Sequence, residues 1–358
     1  MRKLEGPLQL APVFKPRLWG RRDLAPLYGG NPRQVAVFPA SLQGQTIGEA
    51  WLTDDGARFR NGPVTGRTLG EVVNEYGPDL LGPDSTARRF PILAKFIFTS
   101  AWLSVQVHPN DEQARQHHSG EIGKTEMWYV AEAGRKAKYL LGLKPGATVE
   151  TLRRAGRQGK SRRLLRSFRA KSGEAIFIPA GTVHALGPGL IVFEAEQNSD
   201  ITYRLDDYGR RSADGKPRPL HLEEGLKVAR LDATAHRNLP RLEFREPFGA
   251  RRYILGSRFF AVEVLTLERC ARLESSHRRV ELLSVVSGSG RVENASGWLG
   301  FRTGEAWLIP PGMGSYRLFP RGRAQFLRCY VPDLDADFRK PLLRRKVRTA
   351  DIAKIIFD

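Results

Sequence analysis

Gly173-Glu-Ala-Ile-Phe-Ile-Pro-Ala-Gly181 recurs 131 residues later as Gly304-Glu-Ala-Trp-Leu-Ile-Pro-Pro-Gly312. In each copy Gly-Glu precedes a short apolar run and Pro-x-Gly follows it, which describes one strand and its turn built twice. A single recurrence at this spacing marks two copies of a domain, not a solenoid. The copies differ in chemistry, because His184 beyond the first aligns with Ser315 beyond the second. A chemically equipped unit is therefore expected beside one that has lost its equipment. The boundary is placed near Asn238–Leu242, after the last helical stretch of the first half.

Outward from the repeat, 36 glycines and 23 prolines punctuate short runs rich in Val, Ile, Phe and Leu. Strands are expected in Gln34–Phe38, Phe96–His108, Met127–Val130, Ala175–Ile178, Leu190–Glu194 and Ala261–Leu267. Short strands with turn signals between them read as all-β, a sandwich or a barrel. Helical patterning is local, in Leu152–Phe168, Leu222–Val228 and Asp111–His118, the last behind the Pro109-Asn110 turn.

The chain has 358 residues, enough for one large core or two medium ones. No apolar run approaches the roughly 20 residues of a membrane-spanning helix, and no secretory leader is read at the N-terminus. Cys270 and Cys329 lie far apart, as free thiols of a cytoplasmic protein would. The formal net charge of +20 attracts anions such as nucleic acid, membrane phosphates or a phosphorylated metabolite. No zinc-finger spacing or RNA-reading aromatic run accompanies it, so it is read as a global surface property and nucleic acid is not expected as a partner.

Gln106 and His108 stand two residues apart in a strand and so project to one face, with Val105 and Val107 on the other. Glu126 opens the apolar run Met-Trp-Tyr-Val and points inward from a neighbouring strand. His184 follows Pro-Ala-Gly-Thr-Val, where a hairpin turns back. Burying these polar groups without partners costs several kcal/mol, about 2–7 for each by transfer scales. A metal ion removes that cost. Two imidazoles, a carboxylate and an amide oxygen suit Zn²⁺ best, with Mn²⁺, Co²⁺ or Fe²⁺ as alternatives. His117, His118, His221 and His236 are read as exposed or loop residues. His277 and Glu281 resemble a ligand pair in the second half, but Ser315 argues against a metal there.

Six stretches in this order resemble type I phosphomannose isomerases over nearly the whole chain. They are Phe14-Lys-Pro-Arg-Leu-Trp-Gly20, Ile47-Gly-Glu-Ala-Trp51, Leu103-Ser-Val-Gln-Val-His-Pro-Asn-Asp111, Gly123-Lys-Thr-Glu-Met-Trp128, Pro179-Ala-Gly-Thr-Val-His-Ala185 and Gln197-Asn-Ser-Asp-Ile-Thr-Tyr-Arg204. The short link from His108 to Glu126 looks like the compact bacterial branch. The resemblance implies a mainly β fold of two cupin-type (jelly-roll) barrels with a few short helices on the first. Its division would be a catalytic domain at 1–238, a degenerate domain at 239–335 and a basic tail at 336–358. It implies a monomeric Zn²⁺-dependent isomerase interconverting mannose 6-phosphate and fructose 6-phosphate through an enediol.

By position, Gln106, His108, Glu126 and His184 match the family's metal ligands. Arg204, Lys124 and Asp200 match catalytic-site residues, and Ser104 and Lys95 match residues placed near the sugar phosphate. Like charges around Lys124 would lower its pKa and suit it as a base, a role that His108 or a metal-bound water could share. Asp206 departs from the family's aromatic residue and puts an extra carboxylate near Arg204. Two other readings remain open on the sequence: an Fe²⁺ cupin dioxygenase, and a non-catalytic metal-bearing bicupin that binds sugar phosphates.

Overall fold

The structure is a computed structural model that describes residues 4–28, 40–118, 120–211, 215–233 and 235–357. The expected strand Gln34–Phe38 lies outside the described residues. The fold is mainly β, as the sequence predicts. Ala175–Ile178 and Ala261–Leu267 form with the bounds read from the sequence, and Leu190–Gln197 and Glu126–Ala133 extend the shorter runs expected there.

The first half contributes a six-stranded sheet in the order Val13–Arg21, Ile47–Trp51, Ile92–Phe98, Leu190–Gln197, Glu126–Ala133, Ala175–Ile178. Facing it is a five-stranded sheet of Tyr203–Asp206, Val105–Val107, His184–Leu186, Lys138–Leu143 and Leu165–Arg169. The second half repeats the plan with an eight-stranded sheet, containing Ala261–Leu267, Glu281–Ser287, Ala306–Ile309 and Ala324–Tyr330, and a four-stranded one. Among the described residues none of these sheets closes on itself, so the closed barrels expected from the sequence are not seen and facing sheets stand in their place. The expected continuous strand Phe96–His108 shows why. Thr99 Oγ1 donates to the Gly187 carbonyl at 2.7 Å and accepts from Leu190 N–H at 2.9 Å, and the chain crosses to the other sheet there.

Strand alternation sorts the core. Phe96, Phe98, Phe193 and Met127 point outward from the first pair of sheets and join Val262, Val264, Leu282 and Leu308 of the second half in one shared cluster. Ile97, Trp128, Val130 and Val192 point into the space between the first two sheets, against Tyr139, Leu141 and Leu186. Lys95, Glu126, Glu194 and Glu196 have the same parity as this inner set, so one end of the interior is apolar and the other charged.

One helical expectation is changed. Leu222–Val228 and Asp111–His117 are helices, but Leu152–Phe168 divides into the helix Val149–Arg157, a tight turn at Ser161–Leu164 and the strand Leu165–Arg169. Gly159, at φ +65°, ends the helix in a conformation that side-chain-bearing residues resist. Of residues 336–358, expected as a basic tail, the described residues 336–357 are packed instead: Phe338, Leu342, Ile352 and Ile355 cluster with Tyr253, Ala261 and Tyr330. Ile356–Phe357 adds a short parallel strand to Gly249–Ser257. Among the described residues, no helix is long and apolar enough to cross a membrane.

Candidate active site

Glu126, the first residue of its strand, pairs with Ile178 on one side and Glu196 on the other, and is fully buried. On the facing sheet, His184 pairs with Gln106. Donor atoms of His108, Glu126 and His184 all lie within 4.8 Å of one another. His184 Nε2 stands 3.1 Å from Glu126 Oε1 and 3.1 Å from the Gln106 amide nitrogen, and His108 Nε2 stands 3.5 Å from Glu126 Oε2. The structure brings the four expected ligands together.

Both imidazoles are oriented by backbone. His108 Nδ1 donates to the Ile201 carbonyl at 2.8 Å, and His184 Nδ1 to the Thr182 carbonyl at 2.9 Å. Burial, with Lys124 and His184 adding to it, holds His108 well below the ordinary imidazole pKa, and burial brings His184 to about 4. Both rings are therefore neutral and turn an Nε2 lone pair toward the Glu126 carboxylate. His108 Nε2 and both Glu126 oxygens are buried without a hydrogen bond. Burial, then Glu194, pushes the Glu126 carboxyl well above the usual range, because the side chains around it supply too little positive charge. Lone pairs converging on an anionic oxygen fit a divalent cation, and donor N–H groups held by carbonyls are the usual support of such ligands.

Beside this centre runs a buried charge relay. Lys95 Nζ contacts Glu194 at 2.8 Å and Glu196 at 2.9 Å, and Lys124 Nζ contacts Glu196 at 2.8 Å. Trp128 Nε1 donates to Glu194 at 2.6 Å. Burial favours the neutral form of Lys124, but Glu196, with Glu194 and Glu126, prevails over it and over Lys95, so its pKa is raised. The expected depression is thereby corrected. The sequence shows the nearby cations, whereas the carboxylates reach Lys124 only across strands.

Lys124 is placed by a frame of hydrogen bonds. Asp111 Oδ1 accepts from Gly123 N–H at 2.9 Å and from Gln197 Nε2 at 2.8 Å, while Gln197 Oε1 accepts from Thr125 N–H at 2.9 Å. A Cβ at Gly123 would lie 2.4 Å from the Asn110 carbonyl carbon, so this close approach needs glycine.

A cavity of about 780 Å³ opens above the centre. Ser104, Gln106, Lys95, Lys124, Asp200 and Arg204 all line it, so every expected catalytic and substrate-binding residue reaches one space. Arg204 Nη1 donates to the Pro219 carbonyl at 2.7 Å, and its backbone N–H donates to His221 Nδ1 at 3.3 Å. His221 is thus part of the wall, and His118, expected in solvent, meets the Tyr203 hydroxyl at 3.0 Å.

Asp206 does not face the cavity. Its oxygens accept from Ser161 N–H at 2.7 Å and Tyr208 N–H at 2.8 Å, on the far side of a register shift after Arg204. It fastens two loops, and Asp207 is the acid near the arginines. Sequence reasoning missed Trp19, Glu49, Glu194 and Arg218, which also line the cavity. A signal existed for Glu194: the i, i+2 spacing of Glu194 and Glu196 puts both on one strand face.

The chain is similar to known proteins over most of its length. The family model described as "Phosphomannose isomerase type I, catalytic domain" matches residues 8–131. The chain is 35% identical over 316 residues to mannose-6-phosphate isomerase ManA of Bacillus subtilis, covering 87% of this chain and 95% of that one. It is 33% identical over 327 residues to the probable mannose-6-phosphate isomerase GmuF of the same organism, covering 90% and 98%. The crystal structure of a mannose 6-phosphate isomerase from Bacillus subtilis superimposes with a TM-score of 0.80 at 27% identity, covering 90% of this chain and 99% of that one. A putative mannosephosphate isomerase from Archaeoglobus fulgidus, at 20% identity and a TM-score of 0.70, shares the fold over 92% of this chain and 99% of its own.

Proposed function

This chain belongs to the type I phosphomannose isomerase family, and on that premise we propose how its residues interconvert mannose 6-phosphate and fructose 6-phosphate. The carrying observation is the buried trio His108, Glu126 and His184, in which His108 Nε2 and both Glu126 oxygens lack a hydrogen bond, beneath a cavity that also collects Lys124, Asp200 and Arg204. The ion we propose is Zn²⁺: Gln106, His108, Glu126 and His184 would hold it, and when bound it would supply Lewis-acid polarisation of the sugar oxygens. The two facing sheets around it are read as a cupin-type jelly roll. The catalytic domain is proposed as residues 1–238, followed by a ligand-free unit at 239–335.

Isomerisation moves one proton between C1 and C2 through an enediol, so the site must meet negative charge on oxygen and carry a proton. Arg204 is permanently cationic and half-buried, and it stabilises the enediolate charge. Lys124, paired with Glu196, is the proton carrier at the sugar carbons. Asp200, at the exposed rim, orients the sugar hydroxyls, and Ser104 contacts the substrate beside Gln106. The protein acts as a cytoplasmic monomer on a small phosphorylated sugar, in keeping with the free thiols of Cys270 and Cys329.

A coupled assay on mannose 6-phosphate, before and after chelation and with zinc restored, tests the reading. Turnover that disappears on chelation and returns with zinc is expected. No turnover by a folded, zinc-loaded sample sinks it. Arg204→Ala is expected to lower kcat by about 10²–10³-fold with bound zinc retained.

A further inference from the structure

The cations around the cavity are not equivalent. Lys95 is only 4% exposed and is held between Glu194 and Glu196. Lys124 has Glu196, and Arg17 is bound to Glu49 through two nitrogens at 3.2 and 3.0 Å. Glu49 is fixed in turn by Trp51 Nε1 at 2.7 Å. Each of these positive charges is already matched within the protein.

A second group of cations is different. Among the described residues, Arg204, Arg210 and Arg218 gather around one carboxylate, Asp207. Arg210 contacts it directly, Arg218 Nη1 stands 3.2 Å from it, and the Arg204 guanidinium turns to the Pro219 carbonyl and leaves its buried Nε without a partner. Arg218 lies 5.2 Å over the Trp19 ring, with its side chain 17% exposed. Burial, then Arg204, with Arg210 and Arg17 contributing against Asp207, brings the Arg218 pKa down to about 10. Three guanidiniums sharing one acid leave an excess of positive charge, and Arg204 and Arg218 direct it into the cavity.

We propose that Arg218, beside Arg204, binds the phosphate group of the substrate and is the residue that makes the enzyme choose a phosphorylated sugar over the free sugar. The inference rests on the isomerase reading above and assigns a residue that the sequence motifs do not reach. A planar guanidinium presents a fork of donors to phosphate oxygens, and a dianion relieves the mutual repulsion of the arginines. Asp207 positions Arg218 and Arg210 without neutralising the cluster. Lys95, expected near the phosphate on the sequence, is the poorer candidate, because its nearest partners would repel a dianion. The sugar would extend from the arginine wall toward Gln106 and Lys124.

The test uses the full-length zinc-loaded protein and the variants Arg218→Leu and Arg218→Lys. In Arg218→Leu, KM for mannose 6-phosphate is expected to rise about 10- to 100-fold with kcat within a few-fold, and competitive inhibition by inorganic phosphate to weaken by a similar factor. Arg218→Lys should recover part of both, because it restores the charge without the fork. Zinc content and thermal midpoint identify any variant that is merely misfolded. If Arg218→Leu is one, the comparison of Arg218→Lys with wild type decides. Unchanged KM and phosphate inhibition, or a loss confined to kcat, overturns the inference. A wild-type protein inactive on mannose 6-phosphate would overturn the isomerase reading instead. Calorimetric titration of inorganic phosphate into wild type and Arg218→Leu would then judge the arginine site alone, and equal binding by both, or none by wild type, overturns it.

Discussion

Glu126 opens its strand opposite Ile178, and Glu281 opens the corresponding strand of the second half opposite Ile309, the same position of the repeat. Both carboxylates are buried. Around them the two halves solve one electrostatic problem in two ways. In the first half Lys95 lies across from Glu194, and in the second Glu263 lies across from Arg328, so the pair keeps its place and exchanges its signs. Arg328 reaches Glu281 at 3.0 Å and Glu263 at 3.6 Å, while Tyr330, at the position matching Glu196, donates to Glu263 at 2.7 Å. Ser315 replaces His184, and its cross-strand partner is the exposed Glu274 where His184 has Gln106. His277 is exposed and plays no part.

The difference teaches what the first half gains by leaving its acid unmatched. In the second half the permanently charged Arg328 guanidinium is the counter-cation of Glu281. Glu126 faces neutral imidazoles, with Lys124 Nζ 3.9 Å away, and on the reading proposed above an exchangeable ion completes it. Such an ion has coordination positions to offer a substrate. The fold carries a buried acid at this position in both halves; a guanidinium meets it in the second half, and on the reading proposed above a metal ion meets it in the first.

The largest effect that can break this comparison is loss of the metal. Chelation, or His184→Ala, is expected to lower kcat at least about 10³-fold, since several kcal/mol of charge stabilisation go with the ion. Atomic absorption should show the bound zinc leaving in both cases. Full activity of a zinc-free sample would end the argument.

Next is Arg328→Met, which strands Glu263 and Glu281 without their cation. Urea unfolding should show a loss of about 3–5 kcal/mol, with zinc content unchanged in the folded fraction. Adding Glu263→Gln and Glu281→Gln should recover most of that loss. Failure to recover would mean that Arg328 stabilises by packing and not by charge.

A smaller effect sharpens the comparison from the other side. Combining Lys95→Glu with Glu194→Arg gives the first half the second half's arrangement, and the new guanidinium should compete for Glu126. Zinc affinity is expected to fall about 10- to 100-fold, the usual scale for supporting residues around a metal. Unaltered affinity would show that the ion pair's orientation does not matter to the site. The smallest effect is expected for Ser315→His: metal stoichiometry stays at one per chain and stability changes by about 0.5 kcal/mol. A second bound zinc would show that Arg328 does not exclude metal.

The residues differ in how far they could be read in advance. Ala175–Ile178 and Ala261–Leu267 were legible to the residue because buried strands concentrate β-branched and apolar side chains between turn signals. Gln106 and His108 were legible as a pair because strand parity is local. The split of Phe96–His108 was not, since it depends on Thr99 bonding to Gly187 and Leu190, far along the chain. Nor was the idleness of Asp206 toward the substrate, which follows from a register shift and from Ser161 and Tyr208.

By itself, the sequence determined the mainly β character, the duplicated plan with one equipped half, and the four candidate ligands, because strand parity, turn chemistry and the repeat are properties of neighbouring residues. Tertiary structure alone decided the charge state of Lys124, the sign-reversed ion pair behind Glu281, the packing of residues 336–357 and the arginine wall at Asp207. Those depend on which strands lie side by side and how much water they exclude. An electrostatic energy is set by distance and dielectric, and neither is written in the order of residues along the chain.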